Sequence, residues 1–236
     1  MSQKYQLVIF DLDGTLLDTS PGIYNSVRCA ERHMGFDPIT DDRLREFVGP
    51  PPKQMYMKIY GVDEATALEA VKWHREYGRK KAIYEATVYP GMLQVLNQLK
   101  EHNFRLAVST LKSQEIAESV LDNFGIKKYF DAICGMNEQE TFTKCQTIRS
   151  AMSRINDCKN AVMIGDRIDN DIEPANKLGM KTIWVKQGFS VYQIPMNDFQ
   201  QADYVVDTVY IRTRASPAQA PSTARASRPW WQMHWP

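Results

Sequence analysis

The chain has 236 residues, 43% of them hydrophobic and 24% charged, which suits a globular protein built as one large domain or as a core with a small insert. Twenty-nine basic residues against 28 acidic ones leave a formal net charge of +1, so no basic field favours nucleic acid or an anionic membrane as partner. The opening MSQKYQLVIF reads as neither signal peptide nor membrane span, and Cys29, Cys134, Cys145 and Cys158 lack close metal spacing; both features suit reduced thiols and a cytoplasmic setting.

Tyr5–Phe10 is the first of six short apolar runs. The others are Arg105–Thr110, Ala132–Met136, Ala161–Gly165, Lys181–Val185 and Ala202–Val206. Continuous apolarity over so few residues predicts strands buried on both faces. Between Ser20 and Ala86 no such run occurs. Helical patterns at Ile23–Met34 and Ala65–Tyr84 flank the break Gly49-Pro50-Pro51-Pro52, and Tyr89-Pro90-Gly91 marks a return to the strand rhythm. Gln114–Asn123 carries Ile116, Ala117, Val120 and Leu121 on one stripe and closes at Phe124-Gly125, an amphipathic helix with its stop signal. Alternating strands and helices predict an α/β fold with a doubly wound parallel sheet, plus a small all-helical cap domain. The expected divisions are a core over residues 1–16 and 87–210, a cap over 17–86, and a disordered tail over 211–236, which lacks Asp and Glu.

Asp11-Leu12-Asp13-Gly14-Thr15 follows the first strand directly, where an open parallel sheet places its ligands. Two acids this close repel unless a cation or proton intervenes, which points to a hard metal held by oxygen, typically magnesium. The bland alternative is a turn with solvated acids. Further along, Thr110 or Ser109 ends a strand, a position that also suits a helix-capping hydroxyl. Lys144 opens a helical pattern, with Lys127 and Lys128 as weaker rivals. Gly165-Asp166-Arg167-Ile168-Asp169-Asn170-Asp171 follows another buried strand, and its later acids also suit helix capping.

DLDGTLLDTSPGI resembles the first motif of the haloacid dehalogenase superfamily, in particular its phosphoglycolate-phosphatase-like members with a helical cap. LAVST-LK, FTKCQTIRSAM and MIGDRIDND resemble three further motifs in the family's order, and PANKLGMKTIWV matches as well. The resemblance runs over roughly residues 5–207; the tail departs from it. It implies a Rossmann-like core and a phosphatase in which Asp11 forms an aspartyl-phosphate and Asp13 serves as acid and then base. It further implies Mg²⁺ held by the Asp11 side chain, the Asp13 carbonyl and Asp166, with Asp171 supporting the metal's water or Lys144. Thr110 and Lys144 would bind phosphate oxygens, aided by the amides of Leu12 and Asp13. Arg43, Arg45 and Lys53, near the Gly49–Pro52 loop, are expected substrate contacts from the cap, with solvated charge as the alternative.

The expected substrate is a small phosphorylated metabolite, phosphoglycolate by subfamily, with a 5'-nucleotidase-type reaction as the alternative. No Walker or GxGxxG loop is present. A β-phosphoglucomutase-like phosphomutase fits less well, because DTSPGI resembles the phosphatase branch. A dehalogenase would leave Asp13 without a role, and a non-catalytic binding protein would not need the full motif set. The expected assembly is a monomer or a homodimer.

Overall fold

A strand that is apolar at every position must be covered on both faces, and the central sheet satisfies that demand with alternate residues. The computed structural model describes residues 6–137, 139, 141–155, 160–187 and 193–207; the expected tail over 211–236 lies outside them. β1 (Leu7–Phe10) is buried along its whole length. The chain then forms the two-residue β2 (Leu17–Asp18) and runs through α1 (Ser20–Met34), α2 (Asp41–Arg45), α3 (Pro52–Tyr60) and α4 (Glu64–Lys80). The helix expected to reach Tyr84 ends at Lys80, and Ala82–Tyr84 continues as a 3-10 turn. β3 (Thr87–Val88) pairs antiparallel with β2, a short stem that the apolar runs did not announce.

Strands and helices then alternate as α5 (Met92–Glu101), β4 (Arg105–Ser113), α6 (Gln114–Asn123), β5 (Ala132–Met136), α7 (Lys144–Arg154) and β6 (Ala161–Gly165). A π turn over Ile168–Ile172 leads into α8 (Glu173–Lys177), β7 (Lys181–Val185) and β8 (Tyr204–Val206). The six-stranded sheet has the order β5-β4-β1-β6-β7-β8, and every pairing in it is parallel. This is the doubly wound fold that the sequence pattern predicts.

Successive residues of β1 face opposite ways. Val8 and Phe10 join Leu106, Val108 and the apolar stripes of α5 and α6 in one core. Leu7 and Ile9 join Met163 and the inner faces of α7 and α8 in another. The helical segment between β2 and β3 holds a third cluster of its own, in which Ile23, Val27 and Ala30 of α1 meet Tyr56 of α3 and Ala67, Ala70 and Val71 of α4. No helix among the described residues is long and apolar enough to cross a membrane.

The same segment buries one charged side chain. Glu31 is 2% exposed and receives Arg28 at 2.9 Å, Tyr60 Oη at 2.8 Å and the Ile39 amide at 2.9 Å. A carboxylate taken out of water needs such a full set of donors. Replacing Glu31 with alanine strands all three donors at once. The expected cost is about 2–4 kcal/mol, read as a fall of several degrees in the melting temperature; an unchanged melting temperature would show that water replaces the carboxylate without loss.

Candidate active site

β1 lies between β4 and β6, so the loops leaving these three neighbours open side by side. Asp11 follows β1, and its amide donates to the Ile164 carbonyl of β6 at 2.9 Å. Asp166 follows β6, and one turn further on Asp171 points back. One carboxylate oxygen from each of Asp11, Asp166 and Asp171 lies within 4.8 Å of the others, and all three residues are buried. Two glycines make room for this. Gly14 turns at φ +86°, and a Cβ there would stand 2.6 Å from an Asp166 oxygen. At Gly165 a Cβ would meet the Cβ of Asp171 at 2.3 Å. Either contact is shorter than packed atoms tolerate.

Lys144 supplies the counter-charge. It is the first residue of α7, whose start is fixed by a capping box between Thr143 and Gln146. The buried ammonium reaches Asp11 Oδ1 at 2.5 Å and Asp171 Oδ1 at 2.8 Å. Burial works against this charge, but Asp11 and Asp171 overcome it and hold the lysine above its ordinary pKa. Burial likewise lifts Asp11 to about 7, with Lys144 opposing and Asp171 and Asp13 adding to the rise. Asp166 is pushed well above the carboxylate range, first by burial and then by Asp171 and Asp11. Among the described residues its side chain has only the Thr15 hydroxyl as a hydrogen-bond donor, at 3.3 Å. Asp171 is more fully engaged, since its second oxygen accepts the Arg167 amide at 2.9 Å.

Asp13 is also buried but faces a different way. Its Oδ1 accepts from the Thr19 hydroxyl and pairs with Lys112 at 3.1 Å. Here four buried carboxylates, Asp11, Asp13, Asp166 and Asp171, meet two ammonium groups, Lys112 and Lys144. With all four acids ionised the cluster would lack two positive charges, and that deficit, together with an all-oxygen donor set, fits a hard divalent cation.

Lys112 is a site residue that the motif pattern missed. The strand expected to stop at Thr110 continues to Ser113, with a register shift against β5 between Ser109 and Ser113. Bulges of this kind re-aim side chains beside active sites. Ser109 turns away and bonds Thr147 at 2.9 Å. Thr110 is 1% exposed, and its hydroxyl accepts the Lys112 amide at 3.1 Å. Spacing from Thr110 does not announce this, because the register shift between Ser109 and Ser113 interrupts the simple alternation of the strand. Ser113 precedes α6 without capping it by its side chain. The rival lysines lie elsewhere, with Lys127 on Glu118 at 3.0 Å and Lys128 over the Tyr129 ring.

Lys112 and Asp13 open onto a cavity between the sheet edge and the helical segment. Ile23, Phe47, Pro50 and Pro52 line its far side, with His74 and Arg75 from α4. Arg43, Arg45 and Lys53 do not line it. Arg43 pairs with Glu46 at 3.2 Å, Arg45 with Asp42 at 3.1 Å and Lys53 with Glu64 at 2.9 Å. Acids within the same segment hold all three cations, which the positions of the basic residues alone did not reveal. One further contact ties the segment to the carboxylates: Arg167 donates to the Val48 carbonyl at 3.4 Å while pairing with Asp169 at 2.8 Å.

Residues 8–185 match the family described as haloacid dehalogenase-like hydrolase. The chain is 35% identical over 211 residues to a 5'-nucleotidase of Pseudomonas aeruginosa, covering 89% of this chain and 95% of that protein. It is 30% identical over 209 residues to a phosphoglycolate phosphatase of Agrobacterium fabrum, covering 85% and 88% respectively. A solved structure described as a predicted phosphatase from Clostridium acetobutylicum superposes with a TM-score of 0.79 at 37% identity, over 87% of this chain and 94% of that one.

His74 gives this cavity wall a pH dependence. Burial, with Lys112 and Arg75 adding to it, lowers its pKa from 6.5 to about 3, and its Nδ1 lies 3.1 Å from Tyr56 Oη. The unfolded chain takes up a proton below pH 6.5 that the folded chain refuses. Stability from this group is therefore complete above about pH 6.5 and lost as pH falls toward 3, at about 1.4 kcal/mol per unit. His74→Gln keeps a polar partner for Tyr56 and should flatten the acid side of the stability–pH curve. Identical acid limbs in the two proteins would show that His74 is not held neutral.

Proposed function

The chain belongs to the haloacid dehalogenase-like hydrolases and is a phosphatase of that family, and from that premise we propose that it hydrolyses a small phosphorylated metabolite in two steps, with Asp11 as the nucleophile and Mg²⁺ as the cofactor. The observation that carries this reading is the buried Asp11 carboxylate, fixed by Lys144 at 2.5 Å and set beside Asp166 and Asp171. Asp11 attacks phosphorus and becomes an aspartyl-phosphate, and water then releases phosphate from it. Asp13 protonates the departing oxygen in the first step and takes a proton from water in the second. Lys144 and Thr110 donate to the phosphoryl oxygens, where charge resides in the transition state.

Asp11, the Asp13 carbonyl and Asp166 would hold Mg²⁺, with Asp171 in support. When bound, the ion lets an anionic carboxylate approach an anionic phosphate. The helical segment over 17–86 serves as the cap, closing over the carboxylates and shutting out bulk water. The leaving group rests in the cavity against His74 and Arg75, so substrate selection falls to the residues around the Gly49–Pro52 loop and α4 in place of Arg43, Arg45 and Lys53. Phosphoglycolate is the substrate class that the A. fabrum relative supports. A nucleoside 5'-monophosphate is the second reading, favoured by the P. aeruginosa 5'-nucleotidase across nearly its whole length. A cytoplasmic setting and a monomer or homodimer belong to the same proposal.

The test is phosphate release from a panel of phosphorylated metabolites that includes both classes, with Mg²⁺ and with excess EDTA. Turnover should need the metal and fall by about 10³-fold or more in Asp11→Asn, because an amide is a poor nucleophile. Asp166→Ala should lose both turnover and metal affinity. A phosphate label on the peptide containing Asp11 supports the covalent route; full activity in EDTA, or rapid turnover by Asp11→Asn, overturns it.

A further inference from the structure

Proton transfer to a leaving group needs one oxygen of the acid free and aimed, and the surroundings of Asp13 supply this in an unequal way. Both donors on its carboxylate converge on Oδ1: the Thr19 hydroxyl from the approach to α1, and the Lys112 ammonium at 3.1 Å from the bulged end of β4. Among the described residues no donor engages Oδ2. Lys112 is part-buried, with its side chain 15% exposed, and it lines the same cavity as Asp13. Holding a flexible four-carbon stem against Asp13 carries an entropic cost that the ion pair must offset.

We propose that Lys112 is a positioning residue for the reaction: with Thr19 it pins Oδ1 of Asp13, so that Oδ2 is the oxygen that exchanges its proton with the leaving group. This rests on the reading of Asp13 as acid and base. In the first step the bond from Asp11 to phosphorus forms and the bond from phosphorus to the substrate oxygen breaks. The proton on Asp13 Oδ2 moves to that oxygen, and Asp13 is left as a carboxylate held at Oδ1. In the second step the same oxygen takes a proton from the attacking water as the aspartyl-phosphate bond breaks. Lys112 itself transfers nothing.

The role predicts a dependence on leaving-group chemistry that direct binding of phosphate would not produce. p-Nitrophenolate leaves readily as an anion, whereas an alkoxide needs the proton. Lys112→Met and Lys112→Arg are compared with the parent protein in single-turnover phosphorylation of Asp11, using p-nitrophenyl phosphate and an alkyl phosphate in saturating Mg²⁺. Lys112→Met should slow phosphorylation by the alkyl phosphate about 10- to 100-fold and by p-nitrophenyl phosphate less than about 3-fold. Lys112→Arg, which restores a donor at this position, should recover most of the alkyl rate. Equal losses on both substrates would place Lys112 on the phosphoryl group and overturn the proposal. So would an effect confined to KM, or no effect at all. Melting temperatures separate misfolding from these outcomes, and if Lys112→Met does not fold, the Lys112→Arg and Lys112→Gln pair carries the same comparison. Absence of phosphate on Asp11 in the parent protein would instead defeat the underlying reading of the reaction.

Discussion

Negative charge buried in excess is the constraint on which the rest of this structure depends. Asp11, Asp166 and Asp171 crowd the carboxyl ends of β1 and β6, and burial lifts Asp11 to about 7 because its ionised form is so poorly solvated there. One lysine, brought in by a separately capped helix, offsets part of the repulsion through contacts at 2.5 and 2.8 Å. Without a further cation the cluster is a cost to folding, since ionised acids favour the solvated, unfolded chain. The same unsatisfied field is one that a hard cation would neutralise. The glycines at 14 and 165 follow from this constraint, because they allow the carboxylates a proximity that any side chain would prevent.

Much of this was legible in the sequence because it follows from two strong signals. Strands covered on both faces have no polar residues to blur the apolar run, so Ala132–Met136, Ala161–Gly165 and Lys181–Val185 stand in the structure with the bounds that the pattern predicts. Gln114–Asn123 does too, because its stripe and its glycine stop agree. Asp11 and Asp13 stood out because a carboxylate at the end of a buried strand must be solvated, paired or bound to a cation, whereas Asp166, Asp171 and Lys144 were picked out by the resemblance of their motifs to the family. Asp11, Asp166 and Asp171 do converge, and Lys144 joins them.

What escaped notice lacked a local signature. The continuation of β4 through Leu111, Lys112 and Ser113 depends on pairing with Met136, a partner distant in sequence. Lys112 therefore drew no role of its own from the sequence. Arg43, Arg45 and Lys53 pair with acids of their own segment, a placement that basic residues near a proline-rich loop do not disclose in sequence. The π turn at Ile168–Ile172, which swings Asp171 back toward Lys144, likewise arises from geometry that no periodicity announces.

The stem formed by β2 and β3 has a consequence for how such a protein diversifies. Leu17 lies opposite Val88 and Asp18 opposite Thr87, so the chain leaves the sheet and comes back at one point. Everything between, four helices with an apolar cluster of their own, hangs from two adjacent backbone segments. Such an excursion can change in length without altering the register of the strands that end in Asp11 and Asp166. The helical cluster and the carboxylate cluster are thereby carried on separate stretches of one polypeptide. Changes in the excursion leave the buried acids under the packing constraints of the sheet.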